Sequence, residues 1–126
     1  MPRYKYQQLL RPPAPFVHVA LRNPLSSVEL REVAAQLDTA ADRTLLPSSL
    51  VQALGLPKIG RIAVGGVGGT VQKMPTYPVL LAIHGLGERS IAVVADEEEP
   101  WVILGRDVLN AHRILLDGPK LALEID

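Results

Sequence analysis

The stretch LDTAADRTLLP, residues 37–47, decides how this 126-residue chain is interpreted. In it, the apolar Leu37 is followed by the carboxylate Asp38, a hydroxyl residue, two alanines and a second carboxylate, Asp42. An aspartate at the end of an apolar strand suits either the capping of a tight turn or acid–base chemistry. A single aspartate of this kind leaves both interpretations open.

Length and composition predict one domain with an aliphatic core. A chain of 126 residues, 48% of them apolar, is long enough to bury a core and too apolar to be disordered. The absence of cysteine excludes disulfides and thiolate metal ligands. The 13 basic and 13 acidic residues balance, and the basic ones are not concentrated in one segment, so we expect no nucleic-acid partner.

The chain has no segment that suggests a membrane, a metal or a cofactor. No apolar run approaches the ~20 residues of a spanning helix, and the N-terminus lacks the apolar run of a signal peptide. We therefore expect a cytoplasmic protein with no membrane partner. His18, His84 and His112 lie far apart in the sequence, without metal-ligand spacing, so we expect no metal and no cofactor.

The hydrophobic pattern predicts a mostly β domain over residues 16–126, preceded by an extended arm over residues 1–15. FVHVALR, 16–22, alternates with the period of a strand. VELREVAAQL, 28–37, fits an amphipathic helix or a strand, and its strand-like neighbours favour the strand. PSSLVQALGL, 47–56, predicts a short helix capped by Ser48 or Ser49 and ended by Gly55.

The second half of the chain predicts hairpins and one more helix. RIAVGGVGGTVQ, 61–72, is typical of a hairpin, whose glycines lack the register of a phosphate loop and form either a mobile tip or merely a flexible turn. Two strands follow in 77–96, a short apolar strand in WVIL, 101–104, and a helix in GRDVLNAH, 105–112. RILLDGPKLALEI, 113–125, predicts a final hairpin that turns at Asp117-Gly118.

A pair of carboxylates would make Asp38 a much stronger acid–base device. Two like charges ~3 Å apart cannot both ionise, so one acts as base and the other as acid. The aspartates that could serve as the partner, Asp96, Asp107, Asp117 and Asp126, lack the same motif. The partner of Asp38 would therefore be Asp38 of a second copy, because a twofold dimer pairs a residue on its axis with itself.

Three segments in this order resemble the retropepsins, the retroviral-type aspartic proteases, and their cellular and bacterial-type members in particular. LDTAADRTLLP, 37–47, is similar to the active-site loop of that family, VGGVGGTV, 64–71, to its glycine-rich flap, and VILGRDVLN, 102–110, to the segment before its C-terminal helix. The resemblance implies a single-lobe acid protease fold: a closed, barrel-like β domain with a flap hairpin and one or two short helices, acting as a homodimer.

The resemblance also implies roles for individual residues. Asp38 would be the catalytic aspartate, and Thr39 would hydrogen-bond across the dimer beneath the pair. Arg106 would support the site by pairing with Asp42, or it would be a solvated side chain. The substrate-binding positions would be Ala40, Ala41, Asp42 and Arg43 in the loop, Gly65, Gly66 and Val67 in the flap, and Trp101 and Ile103 at the side-chain pockets, with a core position as the alternative for Trp101.

These roles imply an aspartic endopeptidase that cleaves peptide or protein substrates without metal or cofactor. Ala40 departs from the glycine that is usual in the family at this position, and a methyl group there could crowd the substrate or strain the loop. A catalytically weakened or inactive module for dimerisation or peptide binding is therefore the alternative. A generic small β-barrel without an active site would explain none of the three segments.

Overall fold

The computed structural model describes residues 2–65 and 69–126 and is built mostly of β-strands, as predicted. Strands contain 52% of these residues and helices 9%. The elements in chain order are β1 (Arg3–Lys5), β2 (Phe16–Arg22), β3 (Glu29–Leu37), β4 (Leu45–Pro47), α1 (Ser48–Leu54), β5 (Gly60–Gly65), β6 (Val71–Ile83), β7 (Glu88–Asp96), β8 (Val102–Leu104), α2 (Arg106–Leu109), β9 (Ile114–Asp117) and β10 (Ala122–Ile125).

Six strands form a closed barrel, which confirms the predicted barrel-like β domain. They follow the order β2-β3-β8-β4-β7-β6, and β6 pairs back with β2 to close the ring. Strand β5 pairs with β6 and lies outside the ring. Closure leaves the six-stranded ring without an open edge, and the alternating inward side chains fill the interior. The core includes Val17, Val19, Leu21, Leu46, Val79, Leu81, Val93, Val102 and Leu104.

The segment that could have been a helix or a strand is strand β3. Its register with β2 shifts between the pairs Val19↔Val33 and Leu21↔Leu30, and Glu32 in this bulge has a φ of 54°. A bulge adds a residue to one strand and so breaks the alternation of its side chains. The charges at Glu29, Arg31 and Glu32 therefore mimic a helical pattern although the backbone is extended.

Helix α1 has the predicted end but not the predicted cap. Gly55 terminates it in the left-handed conformation, with a φ of 65°, as expected. The prediction that Ser48 or Ser49 caps its N-terminus is wrong, because Pro47 is the cap and no side chain bonds there. Pro47 is also the last residue of β4, paired with Asp96, so the chain passes from strand to helix directly and both serines fall inside the first turn.

Strand β6 is one long strand where the sequence predicts two separate strands, the second arm of the hairpin in 61–72 and the first strand in 77–96. It runs over 13 residues and includes Pro75 and Pro78. Proline has no backbone N–H and cannot donate a hydrogen bond to a neighbouring strand, so it is unfavourable in a strand that has neighbours on both sides. Both prolines lie where β6 has a neighbour on one side only. Pairing with β7 starts at Thr76, just after Pro75, and Pro78 lies between the residues paired with β5 and those paired with β2.

The chain termini form a second sheet, of order β1-β10-β9. The N-terminal segment lies along the barrel: Tyr4 and Tyr6 pack against the core, and the Tyr4 hydroxyl donates a hydrogen bond to the His84 carbonyl at 3.1 Å. The final hairpin, β9–β10, is present as predicted. Neither α1 nor α2 has the length or the apolar character of a membrane-spanning segment, and the described residues contain no other α-helix.

Candidate active site

The loop that carries Asp38 starts where β3 leaves the barrel. The Asp38 amide donates to the carbonyl of Leu104 at 3.0 Å, which fixes the loop to β8. Asp38 Oδ1 accepts the amide of Ala40 at 2.9 Å, and the Asp38 carbonyl accepts that of Ala41 at 3.2 Å. Oδ1 therefore caps the turn, whereas Oδ2 has no hydrogen-bond partner among the described residues. Capping and chemistry use different oxygens and are compatible.

Ala40 fits this turn without the backbone freedom of glycine. The described non-glycine residues with a positive φ are Glu32 and Leu121, so Ala40 has an ordinary backbone conformation. Its side chain is exposed and lines a cleft. The methyl group therefore does not strain the loop, and its possible effect is confined to the room left for a ligand.

Arg106 ties the loop to the start of α2. Its amide donates to the carbonyl of Ala41 at 2.9 Å, and its Nη1 donates to the carbonyl of Thr39 at 2.7 Å. Its Nη2 donates to Asp42 Oδ1, so the expected link between Asp42 and Arg106 is present. One guanidinium thus satisfies a backbone oxygen and a carboxylate of the same loop, which holds both in fixed orientation.

Thr44 and Asp107 form a second link, which the sequence analysis missed. Asp107 Oδ1 accepts the Thr44 hydroxyl at 2.7 Å, and Oδ2 accepts the Thr44 amide at 3.0 Å. The same hydroxyl oxygen accepts the amide of Gly105 at 3.2 Å. Thr44 is completely buried, so each of these polar groups needs a partner. In the sequence, the position of Asp107 next to Arg106 was the one feature that could have pointed to its role.

Gly105 lets these two segments approach each other. A Cβ at this position would lie 2.6 Å from the carbonyl carbon of Arg43 and 2.7 Å from its oxygen. Real Cβ atoms do not come so close to backbone atoms, so only glycine fits without moving the loop. The loop and residues 104–107 are therefore one packed unit, although they lie more than 60 residues apart in the sequence.

A cleft of about 410 Å³ lies between this loop and strand β5. Of the residues expected at the substrate, Ala40, Ala41, Asp42, Arg43 and Gly65 lie together in its wall. Other residues of the wall were not anticipated: Leu45, Ile62, Ala63, Val64 and Val94. Most of these additional side chains are aliphatic, so the cleft combines an apolar surface with the polar edge of the loop.

Other predicted site residues lie elsewhere or outside the described residues. Trp101 is half-buried: its Nε1 donates to Gln36 Oε1 at 3.0 Å, and its ring meets that of Phe16 edge-on at 5.1 Å. Ile103 is buried in β8, opposite Gln36 and Leu45. Neither lines the cleft. Gly66 and Val67 lie outside the described residues.

The chemistry available at this site is that of one carboxylate. Asp38 keeps one oxygen without a hydrogen-bond partner among the described residues, and it lies two residues before Ala40 in the loop, but Asp38 itself does not line the cleft. Asp42 is held by Arg106, so Asp42 is a poor candidate for a second acid or base. No three His, Asp or Glu side chains in residues 2–65 and 69–126 are grouped so that they could hold a metal ion. The described part of one chain therefore supplies a single carboxylate of this kind.

Comparison with known proteins identifies relatives of the chain. The model of the family described as gag-polyprotein putative aspartyl protease matches residues 26–111. No curated protein matches the chain. Among solved structures, the EIAV protease in complex with the inhibitor HBY-793 is 26% identical, with a TM-score of 0.55 over 78% of this chain and 86% of that one.

Two cellular proteins share the fold at lower identity. A retropepsin-like aspartic protease from Rickettsia conorii is 15% identical, with a TM-score of 0.57 over 100% of this chain and 99% of that one. The retroviral protease-like domain of Ddi1 from Leishmania major is 18% identical, with a TM-score of 0.52 over 88% of both chains. The family match spans the acid-bearing loop, β5 and residues 104–107. The chain belongs to the retroviral, or retropepsin-like, aspartic protease family.

Proposed function

We propose that this protein is an aspartic endopeptidase whose active site forms when two copies pair their Asp38 carboxylates. The observation that carries the proposal is Asp38 itself: it lies in the loop whose residues Ala40 to Arg43 line the cleft, with one oxygen used by the turn and the other without a partner among the described residues. Because the chain supplies one such acid, a twofold dimer is the simplest source of the second.

The hydrolysis follows from the shared proton of such a pair. The ionised Asp38 takes a proton from water as the water oxygen attacks the peptide carbonyl carbon, and the protonated Asp38 donates its proton to the carbonyl oxygen. In the second step the C–N bond breaks. The amine nitrogen receives a proton from one carboxyl while the other carboxylate takes a proton from the diol, so the pair returns to its starting state.

The neighbours of Asp38 would orient the pair and the substrate. The backbone of Thr39 is fixed by Arg106, and its exposed side chain would be available to hydrogen-bond across the dimer. The substrate would bind in extended form along the cleft, between the loop and β5. Among the described residues, strand β5 pairs only with β6, and a free strand edge accepts an extended peptide through backbone hydrogen bonds. The flap formed by β5 and β6 would close over it and exclude water.

The decisive experiment is the replacement Asp38→Asn, assayed with a peptide library between pH 3 and pH 7. Asn has nearly the same shape and keeps the oxygen that caps the turn, but it cannot act as a base. We expect cleavage to fall to background with unchanged circular dichroism and solution mass.

A matched control is Asp126→Asn, because the described hydrogen bonds of Asp126 use its backbone atoms. This variant should cleave like the wild type. Wild-type cleavage by the Asp38→Asn variant would refute the proposal.

Ala40 favours a second candidate function, a dimerisation or peptide-binding module with weak or no cleavage. Its methyl group lies in the wall of the cleft, where the family usually has glycine. The same assay separates the two functions. A dimer that binds peptides but cleaves none of them, with Asp38 present, would favour the module.

A further inference from the structure

We propose that the cleft selects peptides that carry an acidic side chain, and that Arg43 is the residue that selects them. This inference rests on the proposed function for its substrate class, a peptide, but it concerns which peptide. Its basis is the charge distribution in the cleft wall. Two of the lining residues carry charge, Asp42 and Arg43, and the others are small or aliphatic.

The charge of Asp42 is already compensated inside the protein. Arg106 Nη2 bonds to its Oδ1, and this guanidinium is also fixed to the carbonyl of Thr39. A carboxylate held in such a pair offers little net field to a ligand, because the two charges cancel at a distance of a few ångströms. Asp42 and Arg106 therefore contribute hydrogen-bonding atoms rather than net charge.

Arg43 has no such compensation among the described residues. The ion pairs present there involve Arg3, Arg22, Arg31 and Arg106, together with weak contacts of His18 and His84 to Glu32. Arg43 is exposed and lines the cleft. A guanidinium favours carboxylate ligands because its planar donors match the two oxygens. The one uncompensated charge of the cleft wall is thus positive.

The backbone of Arg43 is fixed, so this charge has a defined place. Its carbonyl lies against Gly105, and the next residue, Thr44, is bonded to Asp107. A side chain on a rigid base loses less conformational freedom on binding than one on a mobile loop. Arg43 can therefore discriminate between peptides rather than merely attract anions.

The nearest acidic run does not cancel this charge within the cleft. Residues 96–99 begin with the last residue of β7, two positions beyond Val94, but none of them lines the cleft. Asp96 Oδ1 accepts hydrogen bonds from the amides of Glu98 and Glu99, so this carboxylate is bonded within its own loop. If this run dominated the field at the cleft, the protein would prefer basic peptides instead, so the two possibilities differ in sign.

The test uses peptide pairs that differ only by Glu and Gln, or by Lys and Gln, at one position scanned along a cleavable sequence. We expect wild-type kcat/KM to favour Glu over Gln by about three- to ten-fold at one or two positions, the range for an accessible charge-assisted bond. The preference should shrink in 1 M NaCl. Arg43→Glu should reverse it in favour of Lys, and Arg43→Gln should remove it.

Each ratio is taken within one variant, so a general loss of activity cancels. Arg61→Gln is the matched control: Arg61 is exposed on β5, next to Ile62, but does not line the cleft, so its removal should leave the Glu preference intact. A wild-type preference for Lys, no preference at any position, or a preference unchanged in Arg43→Glu would overturn the inference.

A binding measurement keeps this test independent of the proposed function. Fluorescein-labelled peptides of each pair are titrated into the Asp38→Asn protein and into the same protein with Arg43→Glu added. Tighter binding of the Glu peptide, reversed by Arg43→Glu, would support the role of Arg43 even if the wild type cleaved nothing, in which case only the proposed hydrolysis fails. Equal binding, or binding of neither peptide, would contradict it.

Discussion

Gly105 has no chemistry of its own, yet it sets the position of the acid-bearing loop. The Cβ of any other residue would meet the backbone of Arg43 at 2.6 Å. Backbone atoms cannot rotate away as a flexible side chain can, so a substitution must move the loop, and with it Asp38 and the cleft wall.

We therefore expect Gly105→Ala to lower the free energy of unfolding by about 1–3 kcal/mol, the usual cost of overpacking. The catalytic rate should fall as well, because the loop that carries Asp38 is displaced. Urea denaturation followed by circular dichroism, together with a peptide-cleavage assay, measures both effects. Gly87→Ala is the control, since its Cβ would have no neighbour within 4 Å. Equal stability of the two variants would contradict the crowding inferred at Gly105.

The sequence predicted some residues of the site but not others. The Asp42–Arg106 pair was expected, because each of its residues lies in a short segment that resembles the retropepsins. The roles of Asp38 and Thr39 stay predictions. The bond between Thr44 and Asp107 was not expected, because the resemblance implied no role for either residue and neither is unusual by itself. Trp101 lies against Phe16 instead of in the cleft, because its hydrogen bond to Gln36 holds it on the adjacent part of the barrel.

Among the elements, β1 is held to the barrel by one polar contact that depends on pH. The Tyr4 hydroxyl donates to the carbonyl of His84, and its pKa is raised, first by burial and second by the negative charge of Glu32. A raised folded-state pKa means that the folded state favours the protonated phenol. Its stabilising effect is complete below the unfolded-state pKa, near 10, and is lost as the pH rises through the folded-state value.

We predict that Tyr4→Phe lowers stability at pH 8, since it removes a hydrogen bond worth about 0.5–1.5 kcal/mol. The difference from the wild type should then narrow above pH 10, because phenylalanine does not titrate. Free energies of unfolding of both proteins, measured from pH 8 to pH 11, check this. Parallel curves over the whole range would show that Tyr4 is not linked to folding in this way.

The strands and hairpins were largely predictable because their signals are local. The alternation of apolar and polar residues predicts β2, Gly55 predicts the end of α1, and Asp117-Gly118 predicts the final turn. The closure of the barrel through β2 and β6 and the parallel pairs β3–β8 and β4–β7 are non-local and have no comparable signal. The bulge at Glu32 and the prolines of β6 broke the simple patterns, since each depends on which neighbours the strand has.

For the whole molecule, the proposal requires that two chains share one site. A mixture of wild-type and Asp38→Asn chains tests this directly. After joint unfolding and refolding of equal amounts, random pairing leaves about half of the wild-type chains in wild-type dimers, so the activity per wild-type chain should fall to about half.

Refolding the wild type with the Asp126→Asn control should not reduce its activity. The activity per wild-type chain should also depend on the mixing ratio. With a larger excess of the Asp38→Asn chain, it should fall in proportion to the fraction of wild-type chains. Activity that is independent of the inactive chain would show that each chain works alone. Solution mass measured on the same samples verifies that the chains pair.

The bonds between the loop and residues 104–107 bear on protein engineering. Two of them join main-chain atoms on both sides, and the closest approach requires a glycine, so the two stretches can be transplanted only together. Residues 37–44 grafted alone onto another barrel would lose these hydrogen bonds, and Asp38 would then lie on a flexible loop. Transferring residues 37–44 and 104–107 together, in their present relative position, would preserve the geometry of the loop.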